Sequence, residues 1–178
     1  MPNLIDISYF FGSLEVAQKG ETSVITDLNA FISDKEPEFM QQLLGYPLYQ
    51  EFVAGLGTPT AKWTQLDTGY TYTVNGVQHR WNGFRYTFGS LKKSPIANYV
   101  YWYYSQSLVT IATGTGQKQV QAQNAINASA NDKNVKAWNE MVKQCYACVH
   151  YLLYGGTEYG YTQDACQEIF KYKNTLGL

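Results

Sequence analysis

Cys145, Cys148 and His150, with Cys166 downstream, are the residues of this chain whose types first suggest chemistry. Thiolates and an imidazole are ordinary zinc ligands, but a structural zinc site needs four that converge. Cys145-x-x-Cys148 is followed by Val149 and only then by His150, which misses the haem-attachment pattern by one residue. On a helix of 3.6 residues per turn His150 points about 200° away from Cys148. Cys145 falls on an apolar helical seam, where cysteine behaves as a small hydrophobe. The spacing argues for packing, and neither a metal nor a cofactor is expected.

Other candidate motifs are equally incomplete. Gly114-Thr115-Gly116 opens like a phosphate loop, but the third glycine of a dinucleotide fingerprint is missing and Lys118 is followed by Gln119 instead of Ser or Thr. The two histidines, His79 and His150, stand in no serine or cysteine nucleophile motif. Asp34, Glu36 and Glu38 form an acidic cluster at an expected helix start, where the helix dipole accounts for them. No catalytic residue is assigned and an enzyme is not expected.

Aromatic residues are the more unusual feature. Of 178 residues 16% are aromatic, tyrosine alone numbers 16, and only 15% are charged. Residues 63–104 hold 12 of the 28 rings. Such a cluster suits a stacking platform for sugars or a surface buried against a protein partner, where Tyr and Trp are enriched. The number of rings, more than one copy is expected to hide, favours the partner.

Charge and length narrow the rest. The net charge of −1 conceals two blocks: eight acids against Lys19 and Lys35 in residues 1–51, and nine bases against Asp67, Asp132 and Glu140 in residues 62–143. Blocks of −6 and +6 can orient one copy against the next. Only Arg80 and Arg85 are arginines, too few for the dense basic stripe of a sequence-specific nucleic-acid binder, although non-specific contact remains open. No apolar run approaches the roughly 20 residues of a membrane span. The first residues lack the pattern of a secretory signal, and three cysteines without a framework fit reduced thiols, so the expected place of synthesis is the cytoplasm.

The elements that must position these residues follow from periodicity. Val24, Ile25, Leu28, Phe31 and Ile32 predict a helix over 23–33 with Thr22 or Ser23 as its cap. Asp34 is expected to cap a second helix carrying Phe39, Met40, Leu43 and Leu44, with Pro37 in its first turn and Gly45 at its end. Pro47 starts a third, with Leu48, Tyr49, Phe52, Val53 and Leu56 buried. Beyond Trp63 the pattern alternates, and Asn75-Gly76 between the runs predicts a hairpin of strands 69–74 and 77–82, with a further strand at 84–88. Residues 94–112 read as a helix apolar all round, either central in a bundle or facing a neighbour. Residues 113–131, rich in Gln and Asn, read as a polar arm. Asn131 or Asp132 then caps a long helix whose seam is Val135, Trp138, Val142, Cys145, Val149 and Leu152, stopped by Gly155-Gly156. A short helix over 162–172 closes the chain. The expectation is one domain over 1–178: a mainly α helical bundle (core 22–57 and 94–154) with an inserted β-hairpin at about 63–90, a small antiparallel sheet, and a long polar arm or loop at about 113–131.

Glu36-Pro37-Glu38-Phe39 leading to Leu43-Leu44-Gly45, then Leu48-Tyr49 and Phe52, the Trp- and Tyr-rich insertion, residues 94–104, and Ala137-Trp138-Asn139 with Met141-Val142 together resemble head-tail connector, or neck ring, proteins of tailed bacteriophages. The likeness is greatest to those of crAss-like phages. It implies a structural virion protein: a mainly helical subunit repeated, commonly twelve times, in a homo-oligomeric ring at the portal around the DNA channel. Its partners would be itself, the portal protein and adjacent neck or tail proteins, with non-specific contact to channel DNA and no membrane. The hairpin and arm are the candidates for reaching those partners, through Tyr72, Val74, Val77, His79, Trp81, Gln117, Gln119 and Gln121. A soluble aromatic-rich glycan-binding module is the alternative from a different class.

Overall fold

The structure, a computed structural model, describes residues 3–113, 116–119, 130–156, 158–162 and 168–174, with backbone alone for 109–113, 116–119, 130 and 131. Two 3-10 turns, Ile7–Tyr9 and Gly12–Leu14, lead into helix α1, Thr22–Leu44. This helix is continuous where the sequence predicts a break. Asp34 is no cap and Pro37 lies inside, while Glu21 takes the N-cap position instead of Thr22 or Ser23. Proline in a helix interior costs about 3 kcal/mol. Ile32, Phe39 and Met40 flank it with no exposed surface, and full burial contributes about 1.5–3 kcal/mol for each such side chain. One uninterrupted buried stripe, Leu28, Ile32, Glu36, Phe39 and Leu43, thus outweighs the local penalty.

Gly45, at φ 75°, ends α1 and turns the chain into α2, Tyr46–Gly57, with Pro47 in its first turn as expected. The next element, α3, Ala61–Thr68, is a helix where the hairpin insertion is expected to begin at about 63, because eight residues offer barely two turns of periodicity. Strands β1, Tyr70–Val74, and β2, Val77–Trp81, form the predicted hairpin in the register Tyr70↔Trp81 to Val74↔Val77. Asn75 and Gly76 both have positive φ, 49° and 79°, as a type I′ turn requires. The expected third strand becomes β3, Tyr86–Phe88, which pairs with β4, Leu91–Lys93, in a separate hairpin. Gly83 redirects the chain there: its φ is 98°, and a Cβ would stand 2.5 Å from Asp67 O.

Ser94 Oγ accepts from Ile96 N at 3.1 Å before α4, Pro95–Val109. This helix packs between α1 and α5, so its all-round apolar surface is that of a central bundle helix. Thr110–Thr113 and Gly116–Gln119, β5 and β6, pair antiparallel, so residues 110–112, expected to end the helix, and the first residues of the expected arm form strands; 114–115 and 120–129 lie outside the described residues. The last long helix, α5, is Ala130–Tyr154, which puts Asn131 and Asp132 within the first turn and not at the cap. All six residues of its predicted seam are buried. Gly155 N bonds Tyr151 O at 2.7 Å as the helix stops. Of the predicted last helix, 163–167 lie outside the described residues, and the rest holds only a 3-10 turn, Glu168–Phe170. That segment is tied to α5: Trp138 Nε1 donates to Lys171 O at 2.7 Å, and the Asn139 amide exchanges two bonds with the Lys173 backbone, both 2.8 Å.

The architecture is a mainly α bundle carrying small antiparallel hairpins. Half of the rings of the aromatic segment are buried in it and four more are half-buried. Of the twelve between Trp63 and Tyr104, only Tyr70 and Phe88 are exposed. Tyrosines are held because their hydroxyls reach acceptors at the edge of the core: Tyr99 donates to Glu38 at 2.7 Å, Tyr159 to Lys62 O at 2.8 Å and Tyr161 to Leu43 O at 3.2 Å. One copy covers ten of those twelve rings wholly or in part.

Candidate functional site: two charged faces and a basic groove

Antiparallel pairing puts opposed residues on the same face of a hairpin, so Tyr70, Tyr72, Val74, Val77, His79 and Trp81 share one side of β1–β2. That side lies on α5 of the same chain. Trp81 is fully buried and donates to Leu66 O at 2.8 Å, and Tyr72 is 7% exposed, with its hydroxyl 2.6 Å from His150 Nδ1. Neither is available to a partner, which corrects the expected interface at both positions. The reason is tertiary: the apolar face of the hairpin finds its cover in α5. Val77, 59% exposed, is open, while Val74 and His79 are half-buried. Gln117 and Gln119 belong to β6, and Gln121 lies outside the described residues.

The two histidines, 71 residues apart in sequence, meet here with ring centroids 4.6 Å apart. Burial, and then the charge of His79, lowers the pKa of His150. Burial pushes the Tyr72 hydroxyl up to about 12. Cys145 and Cys148 are buried, with their thiols pushed upward by desolvation, and serve as packing. Among the described residues no three of His, Cys, Asp and Glu come together as metal ligands, and no helix is long and apolar enough to cross a membrane.

The acidic cluster has become mid-helical. Glu36 is buried and accepts from Leu4 N at 2.7 Å and Ile5 N at 3.1 Å, which fastens the N-terminal segment to α1. Desolvation raises its pKa against those bonds. Part of the charge asymmetry is spent within the chain, through Lys62–Glu51 at 3.7 Å and Lys92–Asp6 at 3.9 Å. Two further pairs lie within helices, Asp34–Lys35 at 3.1 Å on α1 and Lys143–Glu140 at 3.7 Å on α5. Asp27 and Asp34 are exposed on α1, and Lys136 and Lys143 on α5, with α4 between the two helices.

A groove lies between α5 and the β3–β4 hairpin. Tyr86 and Phe88 alternate onto one face of β3, opposite Lys93 and Leu91 of β4. Lys133, Ala137, Glu140 and Gln144 recur at intervals of four, three and four on the facing side of α5. The space they line, with Ser13, Asn82, Asn98 and Lys136, has a volume of about 530 Å³. A second space of about 520 Å³ adjoins it across β3, sharing Asn82, Tyr86 and Phe88 and adding Arg80 and Arg85. Arg85 is held in a bidentate pair with buried Asp67.

Gln144, 6% exposed, is oriented by its neighbours. Its Nε2 donates to Tyr86 OH at 2.9 Å and to Glu140 Oε1 at 3.3 Å, and a carboxylate accepts only, so the amide nitrogen must face it. Its Oε1 is then buried without a hydrogen-bond partner among the described residues. Burial and the charge of Glu140 push the Tyr86 hydroxyl up to about 12, which keeps it a donor. Sequence reasoning misses this groove: the α5 spacing is legible, but nothing local tells that β3–β4 will lie beside it.

The chain matches no protein-family model, no curated protein and no solved structure.

Proposed function

We propose that this protein is a structural subunit of the neck of a tailed phage, forming a homo-oligomeric ring, commonly of twelve copies, that joins the portal to the tail around the DNA channel and works without catalysis in the virion. The resemblance over α1, α2, α4 and α5 is one support. The observation that carries the reading is the exposed carboxylates of α1, Asp27 and Asp34, and the exposed lysines of α5, Lys136 and Lys143, on two helices separated by α4. A ring of identical copies joins each to the next through two different surfaces, and faces of opposite sign serve such a contact. The glycan-binding alternative needs exposed rings, and the aromatic segment exposes only Tyr70 and Phe88 of its twelve. Size-exclusion chromatography with light scattering tests the proposal. A closed oligomer is the expected result, and a monomer at every concentration, also in the presence of the portal protein, overturns it.

A further inference from the structure

We infer that the groove between α5 and the β3–β4 hairpin binds a phosphomonoester that carries a flat ring, in chemical terms a nucleoside monophosphate, free or as the phosphorylated end of a nucleic-acid strand. The inference does not rest on the ring reading. Three lysines, Lys93, Lys133 and Lys136, line the cavity against one carboxylate, Glu140, a balance of two positive charges. A phosphomonoester carries about −1.5 to −2 at neutral pH, so it neutralises that balance. Lys133 spends one of its donors on Glu15 O at 3.0 Å, and neither Lys93 nor Lys136 has an ion-pair partner among the described residues.

The remaining lining supplies what an inorganic anion leaves unused. Phe88 is 76% exposed, beside Tyr86 on the same face of β3, and offers its ring for stacking. Gln144 Nε2 donates to Tyr86 OH at 2.9 Å and fixes that hydroxyl at the wall of the groove. Tyr86, whose oxygen already accepts from Gln144, has its O–H to give. A cavity of about 530 Å³ falls in the range of small-ligand sites. The adjoining space with Arg80 gives a following phosphate somewhere to lie.

Isothermal titration of the full chain with adenosine monophosphate tests this, with adenosine, inorganic phosphate and a single-stranded oligonucleotide, with or without a 5′-phosphate, as competitors. Saturable binding is expected, weakened at least tenfold by Lys136→Glu and about five- to hundredfold by Phe88→Ser, the loss expected for one base–aromatic stack. Both side chains are exposed, so these variants should fold. Gln144→Met, checked for folding by circular dichroism, should weaken binding as well. The phosphorylated oligonucleotide competing more strongly than the mononucleotide supports a strand end as the source, and the reverse order supports a free nucleotide. Absence of binding at millimolar nucleotide, indifference to Lys136→Glu and Phe88→Ser, or inorganic phosphate binding as tightly as the nucleotide overturns the proposal.

Discussion

His150 shows how a single side chain acquires its properties from distant neighbours. Its imidazole sits against Tyr72 and His79 from the hairpin and Tyr154 from its own helix. Burial and then His79 lower its pKa below 6.5. The unfolded chain therefore binds this proton more readily, and the contribution to stability is in place above about pH 6.5 and lost as pH falls through the folded value. Glu36 acts in the opposite sense: its raised pKa means that stability declines as pH rises from about 4.5. A comparison of variants separates the two. Urea midpoints from about pH 7 to pH 5 should fall less steeply in His79→Gln than in the unaltered chain; equal slopes would mean that His79 has no part in the titration. The effect should be modest, because His150 is only half-buried.

Among the elements, the α2–α3 pair shows where local rules give way to packing. Gly55 lies within α2, where alanine is ordinarily better by about 0.5–1 kcal/mol. A Cβ there would stand 2.0 Å from Trp63 Cδ1. Gly55→Ala should therefore destabilise, by about 1–3 kcal/mol as overpacking does. Gly57, at the end of the same helix with open space around it, is the control, and Gly57→Ala should leave the thermal midpoint unchanged or slightly raised. Similar shifts in both would remove Trp63 from the explanation. Several elements were readable in advance: the β1–β2 hairpin from Asn75-Gly76, α2 from Pro47, and the α5 seam from its spacing. The unbroken α1 and the short α3 were not, since one depends on burial from α4 and the other is too short to show a period.

For the molecule as a whole, the consequence of exposed carboxylates on α1 and exposed lysines on α5 is oriented association. Asp27 and Asp34 are one heptad apart on α1, as are Lys136 and Lys143 on α5. Reversing either face, by Asp27→Lys with Asp34→Lys or by Lys136→Glu with Lys143→Glu, should abolish assembly of the altered chain alone. Mixed in equal amounts, the two variants should assemble again, because each then presents to the other the sign it has lost. Failure of the mixture, measured by light scattering, would count against charge as the determinant of the contact. Added salt should weaken the unaltered assembly, since exposed charges are screened within about 10 Å at 0.1 M.

The sequence by itself determined what a few neighbouring residues can decide: a turn that needs two positive φ angles, a helix start that tolerates proline, a seam that repeats every three or four positions. Only the tertiary structure decided where the polar and aromatic tips go. Tyr72 reaches His150, Glu36 reaches the backbone of Leu4 and Ile5, and β3–β4 faces α5 across a basic groove. These partners lie tens of residues apart, and burial free energy selects them by the packing of whole faces, which no local pattern encodes.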